Sequence, residues 1–363
     1  WGTASTPFQG HWGGTKTGFP SQDHRLWYER CLARGWTAPT WPTEYGGAGE
    51  SVDWYRAWRE ELIARGMPLP LVGIGLTMIG PILLQEGSET QKAAHLPGII
   101  DGSQRWAQGY SEPEAGSDLA ALQCKAVKVD GGFSVTGQKI WTSHADLSDW
   151  IFCLVRTSEH KHTGISFVVF NMETPGITIR PIELISGASP FCELFLDSVF
   201  VPDEGVIGAV GDGWRVAKAL LQHERGMVGE SIAAGGARLP ELQRWSLRQA
   251  FIDFGDEDPL LRDQVARSEM DQEAMRLTVK RSNDKLKAGS KPGAESSTFK
   301  LFGTELNQRR WELGLRITGT EALLWENPIG RQWLRSRGNS IEGGTSEVQR
   351  NIVARHVLGL PKP

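Results

Sequence analysis

The pattern of hydrophobic and polar positions changes twice along the chain and divides it into three parts. In residues 1–104 apolar side chains recur at helical spacing, and one predicted helix places Trp54, Trp58 and Leu62 on a single face. Ser88 begins a Ser-x-x-Gln pattern, which is typical of a capping box at a helix start. Helices are therefore predicted at 22–34 and 52–65, from about residue 77, and directly after Ser88.

Between residues 105 and 210 the period shortens to that of β-strands. Short runs of β-branched and aromatic residues alternate with turn signals, and Asp-Gly-Gly at 130–132 predicts the turn of a hairpin over residues 127–136. This pattern predicts a compact antiparallel β domain. The further strands are expected at 105–110, 150–156, 165–170, 177–180 and 192–196.

From residue 211 the helical period returns and continues to the end of the chain. Polar stretches with Pro or Gly at 254–259 and 288–295 interrupt it. The sequence thus predicts an α+β protein with a helical N-terminal domain (1–104), a middle β domain (105–210) and a helical C-terminal bundle (211–363). Helices within the bundle are predicted at 212–234, 261–287 and 296–315.

The composition and the net charge exclude several classes of protein. A net charge of −4 over 363 residues and a pI of about 6.1 give no electrostatic footprint for nucleic acid. No apolar run reaches the length of a membrane span. The four cysteines lack the spacing of a metal site or a disulfide framework, so no metal and a reducing, cytoplasmic location are expected. Because the chain opens at Trp1 and not at Met, an upstream segment is expected, and a targeting peptide within it stays open.

Two segments combine residues suited to a planar ligand. Residues 108–118 read Gln-Gly-Tyr-Ser-Glu-Pro-Glu-Ala-Gly-Ser-Asp, and Pro and Gly exclude regular structure after the first few positions. Residues 137–143 read Gly-Gln-Lys-Ile-Trp-Thr-Ser and follow the predicted hairpin. A flat aromatic face, hydroxyls and free backbone donors suit a ring with a hydrogen-bonding edge, such as a flavin. The alternative interpretation is an ordinary polar loop beside a core tryptophan, which would contain the same residue types.

Glu224 is a candidate general base. On the predicted helix 212–234 it lies within an apolar stripe, and the residues three and four positions away include no cation to pair with it. A carboxylate on a buried face tends to a raised pKa, as a base working near neutral pH requires. A structural glutamate bonded to a distant arginine is the alternative interpretation.

Four segments in the same order resemble the acyl-CoA dehydrogenase family. Residues 108–118 and 137–143 resemble its double flavin signature, and residues 35–47 and 341–350 resemble its first and last sequence blocks. The resemblance implies a three-domain fold, FAD as cofactor and α,β-desaturation of an acyl-CoA to the trans-2-enoyl-CoA. It also implies an electron-transferring flavoprotein as electron acceptor and a homo- or hetero-oligomer.

The resemblance also indicates which position in the sequence carries the catalytic base. Most family members carry a glutamate immediately before Gly-Thr-Ser in the last block, where this chain has Gly343. A minority, which includes the isovaleryl- and long-chain acyl-CoA dehydrogenases, carry it on the long helix before an arginine, as Glu224 precedes Arg225 here. Glu342 lies one residue too early, and the two glycines that follow it predict a less firmly held carboxylate.

Further binding roles follow from the resemblance position by position. The substrate is expected to meet Ser117 near the phosphopantetheine, Arg225, and the backbone N–H of Gly343, which polarises the thioester carbonyl. The adenosine half of FAD is expected at Thr345 and Glu347. Contacts with the flavin ring are expected from Gln108, Tyr110, Ser111, the stacking Trp141, and Ser143 near N5.

The chain departs from the family at two positions that hold the FAD pyrophosphate of a neighbouring subunit. Phe251 stands where the family has an arginine, and residues 316–322 have lost glycines of a Gln-Ile-x-Gly-Gly-x-Gly motif. Two alternatives to dehydrogenation therefore stay open. One is a different reaction on the same fold, of the monooxygenase, nitroalkane oxidase or desulfinase type. The other is a non-catalytic partner subunit of a heteromeric dehydrogenase.

Overall fold

The computed structural model describes residues 10–221, 246–254, 258–287, 293–294 and 296–361. Within them the chain forms two compact units. The first contains residues 10–183 and 189–221, and the second contains residues 184–188 and the described residues from 246 onward. No helix in the described ranges has both the length and the apolar character to cross a membrane.

Four helices open the first unit, and serine side chains begin three of them. Ser21 and Ser51 each accept a hydrogen bond from the backbone of the first helical turn, and Ser88 and Gln91 form the reciprocal bonds of the predicted capping box. The third α-helix starts at Gly80, a few residues later than predicted, and a π-helical turn, Gly75–Ile79, directly precedes it. The helices are α1 (Gln22–Leu32), α2 (Val52–Ala64), α3 (Gly80–Glu86) and α4 (Glu89–Ile100).

Eight strands in the described residues form one sheet, with β1 attached beside β4 and the others in the order β6-β7-β3-β2-β4-β5-β8. The hairpin predicted around residues 130–132 is present, since β2 and β3 pair antiparallel across Gly131. The strands are β1 (Trp106–Gly109), β2 (Lys125–Val129), β3 (Gly132–Ser143), β4 (Trp150–Arg156), β5 (Ile165–Asn171), β6 (Ile177–Ile182), β7 (Phe191–Pro202) and β8 (Val206–Ile207).

The sequence predicted an antiparallel domain, whereas the sheet also contains parallel pairs. Strand β1 pairs parallel with β4, with Trp106 opposite Trp150, and β2 meets β4 in parallel at Lys125 and Arg156. A tight hairpin forces two strands to run antiparallel, but β1 leads into an irregular connection instead. That connection includes the 110–118 segment.

Strand β4 separates two apolar cores of the first unit. Phe152 and Leu154 face a core built with α3, α4 and the helix α5 (described over 213–221), whereas Ile151 and Cys153 face a core built with β3 and β7. Burial on both faces explains why β4 reads as a continuous apolar run and not as an alternating one. This two-sided packing makes the β1–β4 pair a rigid base for the loop that follows β1.

The second unit is helical and centres on α8. This helix packs against α6, α7, α9 and α10, and Trp311 in its middle is fully buried. Helix α6 was not predicted as a separate element; α7 begins two residues before its prediction, where Asp258 accepts hydrogen bonds from the first-turn N–H groups of Leu260 and Leu261. The helices are α6 (Leu247–Phe254), α7 (Pro259–Lys287), α8 (Ser296–Thr318), α9 (Pro328–Ser336) and α10 (Ser346–Ile352).

Candidate functional site

A bulge at the end of β3 presents an exposed tryptophan. The pairing of β3 with β7 shifts register between Lys139 and Thr142, and Trp141 takes a left-handed backbone with φ of 61°. Trp141 is 52% exposed, whereas Thr142 is fully buried. Positive φ in a bulky residue is a true outlier, and such strain persists only where the surrounding structure enforces it. The bulge therefore holds a flat aromatic face at the surface.

The loop after β1 lies against this bulge. The backbone N–H of Ile140 donates to the carbonyl of Ser111 at 2.9 Å, which ties the two segments together next to Trp141. Tyr110 is buried, with its ring edge-on to Phe152 at 5.9 Å. The structure thus brings into one neighbourhood the predicted ring-binding positions. These are the half-buried Gln108, Ser111 and Ser143, the buried Tyr110 and the exposed Trp141.

A buried ion pair that sequence reasoning missed joins the same two segments. Lys139 is fully buried, and its Nζ donates to Oε1 of Glu112 at 2.7 Å. A signal for it was present, because Lys139 shares the inward-facing positions of β3 with Phe133 and Val135 at a period of two. A lysine at an inward strand position needs a buried partner.

Ser117 lies on the exposed part of the loop, at the position predicted to meet the phosphopantetheine. The chain just after it is anchored by Arg156, whose guanidinium donates to the carbonyls of Ala120 and Leu122, each at 2.7 Å. Asp118 next to Ser117 pairs with Lys161 at 3.4 Å on the surface. An exposed hydroxyl on an anchored loop is available to a ligand.

The residues around the bulge fit a flavin ring. An isoalloxazine needs an apolar or aromatic surface for its face and hydrogen-bonding groups for its edge. Trp141 offers the flat face, and the half-buried hydroxyls of Ser111 and Ser143 lie on the two segments beside it. Hydroxyls both donate and accept, so they suit the mixed donor and acceptor pattern of the ring edge.

In the second unit, a turn of two glycines precedes α10. Gly343 and Gly344 have φ of 63° and 88°, and the Gln349 side-chain amide donates to the Gly343 carbonyl at 3.2 Å. A Cβ on Gly344 would lie 2.5 Å from Nε2 of Gln349, whereas a Cβ on Gly343 would meet no heavy atom within 4 Å. A Cβ at position 344 would therefore displace the Gln349 amide, whereas the space beside Gly343 is open.

Thr345 and Glu347 have local roles at the start of α10. The Thr345 hydroxyl accepts a hydrogen bond from the backbone N–H of Val348 at 3.2 Å, which makes it the helix cap. Hydrogen bonds from its own backbone N–H and from Thr345 lower the pKa of the exposed Glu347. This geometry positions both side chains at a helix N-terminus, which favours negatively charged groups.

Glu342 is held firmly, contrary to the prediction from its flanking glycines. Oε2 accepts a hydrogen bond from the buried Arg335 at 2.7 Å, and Oε1 accepts one from Asn339 at 2.6 Å. The glycines that follow give the backbone freedom, but the carboxylate position is decided by these two partners from the preceding helix and turn.

Glu224 and Arg225 lie outside the described residues. The part of the same predicted helix that is described, α5, buries Val216, Ala217 and Leu220 completely. Of the stripe predicted around Glu224, Ala217 and Leu220 are thus buried, Leu221 is half-buried, and the remaining positions lie outside the described residues.

The two departures from the family motifs have visible structural consequences. Phe251 is buried in an apolar cluster with Leu261 and Ile317 from the two following helices. Gly319 ends α8 with φ of 65°, and a Cβ there would meet nothing within 4 Å. In this chain position 251 serves the core, and the remaining glycine of the second motif serves as a helix terminator.

Comparison with protein-family models gives three consecutive matches. The acyl-CoA dehydrogenase N-terminal domain matches residues 5–103, the middle domain residues 107–199 and the C-terminal domain residues 211–358.

Named relatives agree with these matches. The chain is 36% identical over 350 residues to the acyl-CoA dehydrogenase IpdE1 of Mycobacterium tuberculosis, covering 94% of this chain and 89% of the relative. It is 38% identical over 330 residues to the acyl-CoA dehydrogenase FadE34 of the same organism, covering 90% of this chain but 45% of that protein.

Two solved structures share the fold over nearly their whole length. The Tcur3481-Tcur3483 steroid ACAD superposes with a TM-score of 0.80 at 29% identity, covering 96% of this chain and 91% of that one. The ChsE4-ChsE5 complex from Mycobacterium tuberculosis superposes with a TM-score of 0.74 at 28% identity, covering 94% of each chain.

Proposed function

The chain belongs to the acyl-CoA dehydrogenase family, and we propose that it desaturates an acyl-CoA thioester to the trans-2-enoyl-CoA. The observation that carries the proposal is the exposed, strained Trp141, held beside Ser143 and the Ser111 loop. Strain that is maintained at an exposed aromatic residue is typical of a binding site.

FAD is the cofactor of this chain, as family membership implies, and when bound it supplies the two-electron acceptor for the hydrogen that leaves Cβ as hydride. Trp141 would cover one face of the ring. The hydroxyl of Ser143 would lie toward N5, and the Ser111 loop would follow the pyrimidine edge. Gln108 and Tyr110 would complete the wall beneath that loop.

Glu224 is the proposed base. It removes the Cα proton, while the backbone N–H of Gly343 donates to the thioester oxygen and favours the negative charge that develops there. Cα and Cβ each lose one hydrogen, and the electron pair of the Cα–H bond becomes the second Cα–Cβ bond. Two observations support Glu224 over Glu342: Arg335 and Asn339 already hold the Glu342 carboxylate, and Glu224 directly precedes Arg225.

We further propose a bulky, polycyclic acyl group for the substrate. Support comes from the steroid ACAD that this chain resembles at 29% identity and a TM-score of 0.80. The phosphopantetheine would pass the exposed hydroxyl of Ser117, and Arg225 would lie beside the base. An electron-transferring flavoprotein is the proposed electron acceptor.

The chain is proposed to work in an oligomer with a homologous partner subunit. Phe251 is committed to an apolar core, so it cannot supply the charge with which family members hold a neighbour's FAD pyrophosphate. Both related structures, the Tcur3481-Tcur3483 steroid ACAD and the ChsE4-ChsE5 complex, have two named components. A partner subunit that carries the arginine would contact the pyrophosphate of the FAD that this chain binds.

Anaerobic titration tests the function. The assembled protein with FAD is mixed with linear, branched, aromatic and steroid-derived acyl-CoA thioesters, and loss of flavin absorbance together with the enoyl product is measured. Bleaching by the steroid-derived thioester is expected. A flavin that no thioester bleaches would overturn dehydrogenation, and bleaching by linear thioesters alone would overturn the substrate class.

A further inference from the structure

The buried pair of Lys139 and Glu112 connects the two segments that form the proposed flavin site. Lys139 lies on β3, and Glu112 lies in the loop after β1, 27 positions earlier in the chain. Their side chains are 0% and 7% exposed, so the link is made away from water. By contrast, the ion pair of Lys128 with Asp203 near the other end of β3 lies on the surface.

Every hydrogen-bonding direction of the lysine is used. Its Nζ donates to Oε1 of Glu112 at 2.7 Å, to the carbonyl of Leu154 at 2.7 Å and to the carbonyl of Tyr110 at 3.3 Å. An ammonium has three N–H groups, and these three acceptors lie on the Glu112 loop and on β4. The lysine thus joins its own strand, β3, to β4 and to the loop after β1.

The carboxylate is equally well satisfied. Oε2 of Glu112 accepts from the backbone N–H of Gln123 at 2.6 Å, and Oε1 accepts from that of Cys124 at 2.9 Å. The backbone of Glu112 also exchanges two 3.1 Å hydrogen bonds with Ala115, which closes the turn that follows. Both ends of the loop are therefore fixed by one residue.

The pair is placed very near the proposed ring contacts. Glu112 directly follows Ser111, and Lys139 stands two residues before Trp141, immediately ahead of the register shift. Between them the backbone bond from Ile140 to Ser111 forms a second link. The spacing between the Ser111 loop and the Trp141 bulge is thus defined by contacts within three residues of each.

Stability does not require charges here. A buried ion pair loses so much hydration that apolar side chains of similar volume serve a core as well or better. An ion pair whose hydrogen-bonding groups are all used fixes the relative orientation of the segments it joins, because each hydrogen bond fixes an angle as well as a distance. Directional fixing matters where two segments must present groups to one rigid ligand.

We propose that Lys139 and Glu112 are positioning residues that set the width of the flavin site between Ser111 and Trp141. This inference rests on the proposed function, because it takes the ring to lie at these segments. It predicts that flavin binding depends on the pair more strongly than folding does.

The test uses the double variant Lys139→Met/Glu112→Gln, which removes both charges and leaves no lone buried charge. FAD is removed and added back, and its Kd and the visible circular dichroism of the bound flavin are measured. We expect the Kd to rise by about tenfold or more, with an altered dichroism spectrum. Glu112→Asp keeps both charges and shortens the link by one methylene, so it should fall between wild type and the double variant; it serves as the test if the double variant does not fold.

Val201→Ala is the matched control. Val201 is fully buried in the same sheet but pairs with Phe133 at the opposite end of β3, so its truncation lowers the thermal unfolding temperature without touching the site. It should keep the wild-type Kd and dichroism. Folded pair variants with the flavin properties of wild type, or a Val201→Ala protein that loses FAD equally, would overturn the positioning role. If the wild-type protein binds FAD but oxidises no thioester, the dehydrogenase proposal is overturned. The FAD measurements on the variants still decide whether Lys139 and Glu112 position the flavin site.

Discussion

Arg335, itself 7% exposed, donates a 2.7 Å hydrogen bond to Glu342, the carboxylate that lies one residue before Gly343. The other oxygen of this carboxylate accepts a 2.6 Å hydrogen bond from Asn339. The acidic side chain beside the family's usual base position is therefore occupied in holding the turn.

This relationship predicts different outcomes for two glutamine substitutions. Glu224→Gln should lower turnover by about a hundredfold or more, because it removes the proposed base while keeping its shape. FAD content should stay at the wild-type level. Glu342→Gln should cost turnover far less and should lower the unfolding temperature, since Arg335 loses a charged partner. Steady-state kinetics with flavin quantitation measures both, and the reverse ranking would show that the base is misplaced.

Trp141 has a strained backbone and is the proposed stacking residue for the flavin, and two substitutions separate these two properties. Trp141→Ala and Trp141→Gly should each weaken FAD binding by about tenfold, because both remove the stacking face. Glycine alone relieves the left-handed backbone, so the apo form of Trp141→Gly should be more stable than Trp141→Ala by about 1 kcal/mol. Trp141→Phe should retain much of the affinity. Equal apo stabilities in urea unfolding would contradict the strain.

The turn before α10 should tolerate a methyl group at one glycine better than at the other. Both Gly343→Ala and Gly344→Ala meet a left-handed backbone, at a cost of about 1–2 kcal/mol. Only the methyl group added at position 344 would also press on the amide of Gln349, 2.5 Å away, and disturb its bond to the Gly343 carbonyl. The unfolding temperature should therefore fall more for Gly344→Ala, and thermal denaturation of the two proteins decides the point.

Restoring the family's arginine at position 251 should damage this chain. Phe251→Arg would place a charge among Leu261, Leu313 and Ile317, and an unpaired buried charge costs about 3 kcal/mol or more. Phe251→Leu, which keeps the site apolar, should cost about 1–2 kcal/mol. Urea unfolding measures both. An arginine variant as stable as the leucine variant, with tighter FAD binding, would contradict the assignment of this residue to the core.

Acid should destabilise the first unit through its buried histidines. Burial lowers the pKa of His95 from 6.5, and the ring lies edge-on to Trp106 and Trp150 at 5.2 and 4.6 Å. The unfolded chain then binds a proton more readily than the folded one, so stability is complete above about 6.5 and falls as the pH drops toward the lower folded value. His95→Gln should flatten unfolding free energy against pH, and substitution of the exposed His160 should not.

Much of the candidate site could be proposed from the sequence because its signals are local. A tryptophan flanked by hydroxyl residues after a hairpin, and a Pro/Gly-rich loop after a strand, are defined by neighbours in the chain. The capping box at Ser88 and Gln91 was confirmed for the same reason, since both partners lie within one helical turn. The acyl-CoA dehydrogenase family followed from four such local blocks in a fixed order.

Tertiary structure alone decided which residues hold those segments in place. Lys139 and Glu112 are 27 positions apart, so their contact is visible only in the folded chain. The left-handed conformation of Trp141 depends on a register shift against β7, which no local pattern encodes. Sequence determines what a segment can offer a ligand, but burial and pairing are properties of contacts between distant segments, and these exist only once the chain has folded.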